Sequence, residues 1–118
     1  MRTPILALGL VSTLALAALP ARAEIIGPAD AKTHVGQTVT VEAPVSAVHT
    51  GRSGATFIDI GGRYPDSNFT AVIFAADVGK FPNVNALDGK TVAISGPVQL
   101  YQGRPEIVLK TADQLKAK

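Results

Sequence analysis

The chain contains no cysteine and no tryptophan, and its aromatic residues number two tyrosines and four phenylalanines. Without cysteine there is no disulfide, no thiol nucleophile and no thiolate metal site. A small exported domain often relies on disulfides, so this one must be held by its core alone. Histidine is as scarce: His34 and His49 are the two in the chain. No third metal ligand stands near either at a recognisable spacing, so no metal site is expected. The strained strand-to-helix Gly-x-Ser-x-Gly turn of hydrolases is absent, and Ser53 has no recognisable base and carboxylate partners. Asp59, Asp66 and Asp77 are the raw material for a metal-dependent nuclease, but their spacing matches no such signature. The sequence therefore predicts a binding protein with no catalytic residue and no cofactor.

The N-terminus has a positive start at Arg2, an apolar run from Ile5 to Leu19, and Ala21-Arg22-Ala23 as a small-residue cleavage signal. This pattern predicts a secretory signal peptide over 1–23. Ser12, Thr13 and Pro20 interrupt a run too short for a transmembrane helix, which needs about 18 apolar residues. The expectation is a periplasmic or secreted, monomeric domain over 24–118 with no transmembrane segment after cleavage. Two of the 11 lysines and arginines, Arg2 and Arg22, leave with the signal while all 9 acidic residues stay, so the mature chain is formally neutral. A nucleic-acid binder usually carries a basic excess. Any such binding here must come from local placement.

Pro28 to Gly36 reads as a short helix that plugs or lids the domain, with Pro28 in its first turn and Gly36 as its stop. From Gln37 the period becomes two: Val39, Val41, Val45 and Ala47 mark a long first strand. Pro44 inside it lacks a ladder donor and demands a bulge or an edge. Thr50 to Phe74 forms two strands rich in Ile, Val, Phe and Thr, punctuated by Gly51, Gly54, Gly61, Gly62 and Pro65. Ala75 to Asp88 is too polar and broken for a strand and predicts a helical turn and loop. A fourth strand, Gly89 to Val98, echoes Gly36 to Val45 in its entry and its proline. Gln102-Gly103-Arg104-Pro105 is a turn, and Glu106 to Lys110 is the fifth strand with Ile107 and Leu109 inward. Thr111 to Gln114 has capping-box form, Leu115 returns to the core, and the tail frays. Parallel crossovers need a dozen residues or more. The order therefore predicts an all-β fold with short helices, a five-stranded antiparallel OB-fold barrel with a helical segment between strands three and four.

The segments His34-Val35-Gly36, Val48 to Gly54, Thr56-Phe57-Ile58, Gly61 to Pro65, Phe69 to Phe74, Leu87 to Lys90 and Tyr101 to Ile107 together resemble the small exported OB-fold proteins of bacteria. The resemblance spans nearly the whole mature chain. Proteins of that group are described as predicted nucleic-acid-binding or nucleotide-binding proteins, and the resemblance implies that fold and a ligand of that kind. It carries over no catalytic residue.

The mature chain has three arginines, Arg52, Arg63 and Arg104, each in a turn beside glycine. A guanidinium offers paired planar donors suited to phosphate, and neighbouring glycines let the backbone approach a ligand. In an OB-fold, Arg52 and Arg104 would flank the face that binds oligonucleotides or oligosaccharides; as residues of exposed turns they equally suit simple solvation. The loop of Arg63 and Tyr64 is expected away from that mouth, with Arg63 paired to Asp66. If Ile58 and Ile60 point inward, Phe57 and Asp59 point outward, and if Thr70 faces out, so do Val72 and Phe74. Phe57 and Tyr101 are then candidates to stack a base, with His49 beside Arg52; the competing reading makes Phe57 and Phe74 ordinary core. Asp59 on that face would repel phosphate. The partner is thus either single-stranded nucleic acid or a nucleotide, or an envelope protein, glycan or small ligand.

Overall fold

A computed structural model describes residues 23–118, so the predicted signal peptide lies outside the described residues except for Ala23. Eight strands form one mixed sheet: β1 (Glu24–Ile26), β2 (Thr38–Thr50), β3 (Thr56–Ile60), β4 (Phe69–Ile73), β5 (Thr91–Pro97), β6 (Gln99–Tyr101), β7 (Arg104–Val108) and β8 (Leu115–Ala117). Four short 3-10 helices connect them, at Pro28–His34, Ala75–Lys80, Val84–Leu87 and Ala112–Gln114. Among the described residues no helix is long and apolar enough to cross a membrane.

β2 organises the sheet. Val39, Val41, Ala43 and Val45 are buried on one face while Thr38 and Pro44 face solvent, the period-two pattern of a strand with one dry side. Its first half pairs with β5, from Thr38 against Pro97 to Pro44 against Thr91. The segments that echo each other in sequence are therefore partners in the ladder. Beyond Pro44 the strand turns to β3, with a register shift between Val45 and Ala47. Pro44 sits where one ladder ends and the other begins, which is where a missing N–H costs least.

The remaining order is β6-β7-β4-β3-β2-β5-β8 with β1 beside β2. The expected purely antiparallel, closed, five-stranded barrel is corrected in three respects. First, β4 pairs with β7 in parallel, as does β1 with β2. The crossovers have room because residues 74–103 carry two 3-10 helices, β5 and β6, and residues 27–37 carry the first 3-10 helix. Second, three short strands join the five: β1, β6 and β8 have three residues each. The tail does not fray but pairs with β5 from Val92 to Ile94. Third, the ladder does not close, since β5 and β7 meet without pairing.

A side chain spans that seam. Gln114 Nε2 donates to Ser95 O at 2.9 Å on β5 and to Val108 O at 3.2 Å on β7. Its Oε1 accepts from Lys110 N at 2.7 Å and Thr111 N at 3.1 Å, completing the capping box over Thr111–Gln114. Gly96 lies against the same seam, where a Cβ would stand 2.7 Å from Ile107 Cγ2 and 2.9 Å from Gln114 Nε2. The core inside includes Ile58, Ile60, Phe69, Ile73, Ile94, Ile107 and Leu109, and Ala31 of the first 3-10 helix is fully buried against it, as a plug.

Two substitutions test the seam. Gln114→Ala should cost about 1–3 kcal/mol by leaving partly buried polar groups unpartnered. Gly96→Ala should cost about 2–4 kcal/mol, because overpacking adds to backbone strain at φ 152°. Urea titration checks both, with a lower midpoint at an unchanged m-value expected.

Candidate ligand-binding site

The alternation that buries Ile58 and Ile60 turns Phe57 and Asp59 to the other face of β3. Register extends that face across the sheet: Asp59 pairs with Thr70 on β4, Thr70 with Glu106 on β7, and Glu106 with Gln99 on β6. A polar row therefore crosses four strands. Beside it lie His49, Phe57 and Val72, aligned in the same way.

This face floors a cavity of about 290 Å³ lined by His49, Phe57, Asp59, Tyr64, Thr70, Tyr101, Gln102, Arg104, Pro105 and Glu106. His49 stacks on Phe57 with ring centroids 5.2 Å apart and planes 20° apart. Behind them, Gly51 packs so closely on Phe57 that a Cβ would lie 3.0 Å from its ring. His49 Nε2 is 3.2 Å from Asp59 Oδ2, and Tyr64 N donates to the same oxygen at 3.2 Å. Asp59 thus ties the loop after β3 to the cavity. Gly61 and Gly62, at φ 74° and 117°, allow that loop to turn back, and Gly62 N donates to Ser46 Oγ at 3.0 Å.

The far wall is the β6–β7 hairpin. Gln102 and Gly103 both have positive φ, 52° and 80°, the two-residue turn whose twist matches that of the flanking strands. The hairpin sets Tyr101 opposite Arg104. The Arg104 guanidinium lies 4.7 Å from the centroid of the Tyr64 ring, a cation–π contact. Gln99 Nε2 donates to Glu106 Oε2 at 2.7 Å.

Two charged atoms on this wall and floor are left without a partner. Asp59 is 2% exposed, yet its Oδ1 accepts nothing, and the buried Nη1 of Arg104 donates to nothing. Buried polar groups in folded proteins are nearly always paired, because an unmade bond costs about 1–3 kcal/mol. Among the described residues one other buried side-chain atom, Ser67 Oγ, is in this condition.

Five of the residues singled out in the sequence therefore meet here: His49, Phe57, Tyr64, Tyr101 and Arg104. Tyr64 corrects an expectation, because the loop expected to lie away from the mouth forms part of it. Arg63 sits at an adjoining depression with Ala47, Val48, His49, Asp59, Tyr64 and Asp88. The contact recorded between Arg63 and Asp66 is through the backbone, Asp66 N to Arg63 O at 2.7 Å. Arg52 is exposed on the β2–β3 turn, between His49 and Phe57 but outside the cavity lining. Val72 is buried, and Phe74 is half-exposed beyond the end of β4. Glu106 was not anticipated as a site residue, although inward Ile107 and Leu109 imply by parity that it shares a face with Arg104. Among the described residues no three His, Asp or Glu side chains gather as a metal site.

No protein-family model matches the chain, and no curated protein is similar to it at the sequence level. Solved structures are similar in fold. The OBody AM1L10, solved bound to hen egg-white lysozyme, superposes with a TM-score of 0.61 at 14% identity, over 85% of this chain and 98% of that one. A chain assigned as an aspartyl-tRNA synthetase from Leishmania major Friedlin gives 0.56 at 14% identity, over 93% of this chain and 25% of that one. An aspartyl-tRNA synthetase from Entamoeba histolytica gives 0.50 at 16% identity, over 72% of this chain and 19% of that one. At such identities the likeness is one of fold.

A buried carboxylate with one oxygen unpartnered is a poor stabiliser. Asp59→Asn keeps the shape, and an acceptor for Tyr64 N, while removing the buried charge. Its stability should equal or exceed that of the unaltered protein in urea denaturation. A loss above about 1.5 kcal/mol would assign Asp59 a structural role instead.

Proposed function

We propose that this protein is an exported, monomeric OB-fold domain that binds single-stranded nucleic acid or a nucleotide, with a base held in the cavity above β3 and β4. β2, β3, β4, β5 and β7 correspond to the five strands of that fold, with the seam between β5 and β7 bridged by a side chain rather than a ladder. The observation that carries the reading is the meeting of Phe57, Tyr64, Tyr101, His49 and Arg104 around one cavity on the face such domains use. Aromatic faces take bases with little regard to sequence, at about 1–3 kcal/mol each. Arg52, exposed on the turn at the rim, is suited to the phosphate backbone, as is Arg63 on the next loop. The predicted signal peptide supports action in the periplasm or outside the cell. Neutral overall charge implies modest affinity.

A titration of the chain from Glu24 to Lys118 with a labelled single-stranded oligonucleotide, followed by fluorescence anisotropy at two salt concentrations, tests this. Two or three phosphate contacts give a slope of log affinity against log salt of about −1.4 to −2.1. The Arg52→Ala, Arg104→Ala double variant should bind at least about tenfold more weakly. Absence of binding at low salt would overturn the reading and leave an envelope protein or a glycan as the partner.

A further inference from the structure

The unpartnered atoms of the cavity specify more than a stacking platform. We propose that the cavity reads the hydrogen-bonding edge of a single nucleobase, with Asp59 Oδ1 accepting from a base N–H and Arg104 Nη1 donating to a neighbouring carbonyl or ring nitrogen, while phosphate stays outside. This rests on the nucleic-acid reading and assigns Arg104 a different task from Arg52.

Three observations carry it. The first is complementarity: one buried acceptor and one buried donor, both lacking partners, belong to residues that line the same cavity. Every common base presents an N–H beside an acceptor on its pairing edge, so one planar ligand satisfies both. Asp59 Oδ2 is taken by His49 and Tyr64 N, and Glu106 Oε2 by Gln99.

The second is charge. Asp59 and Glu106 place two carboxylates on the lining against the single guanidinium of Arg104. A phosphate seated there would meet both at short range in a partly dehydrated space, where like charges repel strongly. A base is neutral and incurs no such penalty. Phosphate is accommodated outside, where Arg52 is exposed without a carboxylate partner among the ion pairs of the described residues.

The third is dimension. Asp59 stands on β3 and Arg104 on β7, with β4 between them, so their backbones are two strand spacings, ~9.6 Å, apart across the sheet, and two residues, ~6.6 Å, apart along it. A base lying over Thr70 bridges that interval with the Arg104 side chain reaching back toward it. At about 290 Å³ the cavity is at the small end of ligand sites and suits one ring system. Tyr64, which lies over the guanidinium, is 60% exposed and carried on a loop, so its ring can shift to stack on the base.

The test compares a short labelled oligothymidylate with the same oligomer carrying 2,4-difluorotoluene in place of thymine, both by fluorescence anisotropy. The isostere keeps ring shape and stacking area but offers neither the N–H nor the carbonyls of thymine. The unaltered protein should bind it at least about tenfold more weakly, since losing even one of the two hydrogen bonds to a charged group has that effect. That ratio should persist as salt rises, because both ligands carry the same phosphates. In Asp59→Leu the ratio should shrink, because only the Arg104 contact is left to distinguish the two ligands. Equal, salt-dependent binding of both oligomers by the unaltered protein would overturn edge reading and leave nucleic-acid binding intact. Failure of both oligomers to bind at low salt would remove both readings together.

Discussion

The bend in β2 is the constraint on which everything else depends. One strand of 13 residues supplies a hydrogen-bonding partner first to β5 and then to β3, and the change of partner falls at Pro44 and the register shift that follows it. Because the register shift moves the inward set from Val45 to Val48, the core runs unbroken through the turn. The bend also decides what is left over. β5 and β8 are drawn to one side, and β3, β4 and β7 to the other, with an outer face that no further layer of the described residues covers. The cavity occupies that face. The seam produced opposite the bend is held by Gln114, whose amide group meets four backbone partners across three segments.

This domain has no disulfide and is small, so its stability must come from buried Ile, Val, Leu and Phe side chains. Against that background an unpartnered buried carboxylate oxygen and guanidinium nitrogen are costly. Natural proteins keep such groups where activity needs them, at the expense of stability. The contrast with Gln114 is instructive, since there a partly buried amide uses both of its ends. In one domain polar groups are fully satisfied at a structural seam and left open at a cavity wall.

Much of the architecture could be read from spacing alone. Alternation along Val39, Val41 and Val45, the proline inside that run, the parity of Phe57 and Asp59, and the capping box at Thr111 are local signals, and the structure follows them. The three-residue strands are too short to carry a period, so β1, β6 and β8 escaped notice. Parallel pairing of β4 with β7 escaped because the crossover is disguised as two further strands. Within the site, Phe57, Tyr101 and Arg104 followed from turn chemistry and parity. The approach of Tyr64 to Arg104 joins two loops far apart in sequence and depends on the positive φ of Gly61 and Gly62, which no pattern of side chains encodes. Arg52, between the cavity residues His49 and Phe57 in sequence, stays outside because its turn is exposed.

The distribution of chromophores follows from the same topology. With no tryptophan in the chain and both tyrosines at the mouth of one cavity, the tyrosine band of the near-ultraviolet circular dichroism arises wholly from the surroundings of that cavity. The far-ultraviolet signal reports the sheet. The state of the cavity and the integrity of the fold are therefore optically separate in this protein, without a label or an engineered probe.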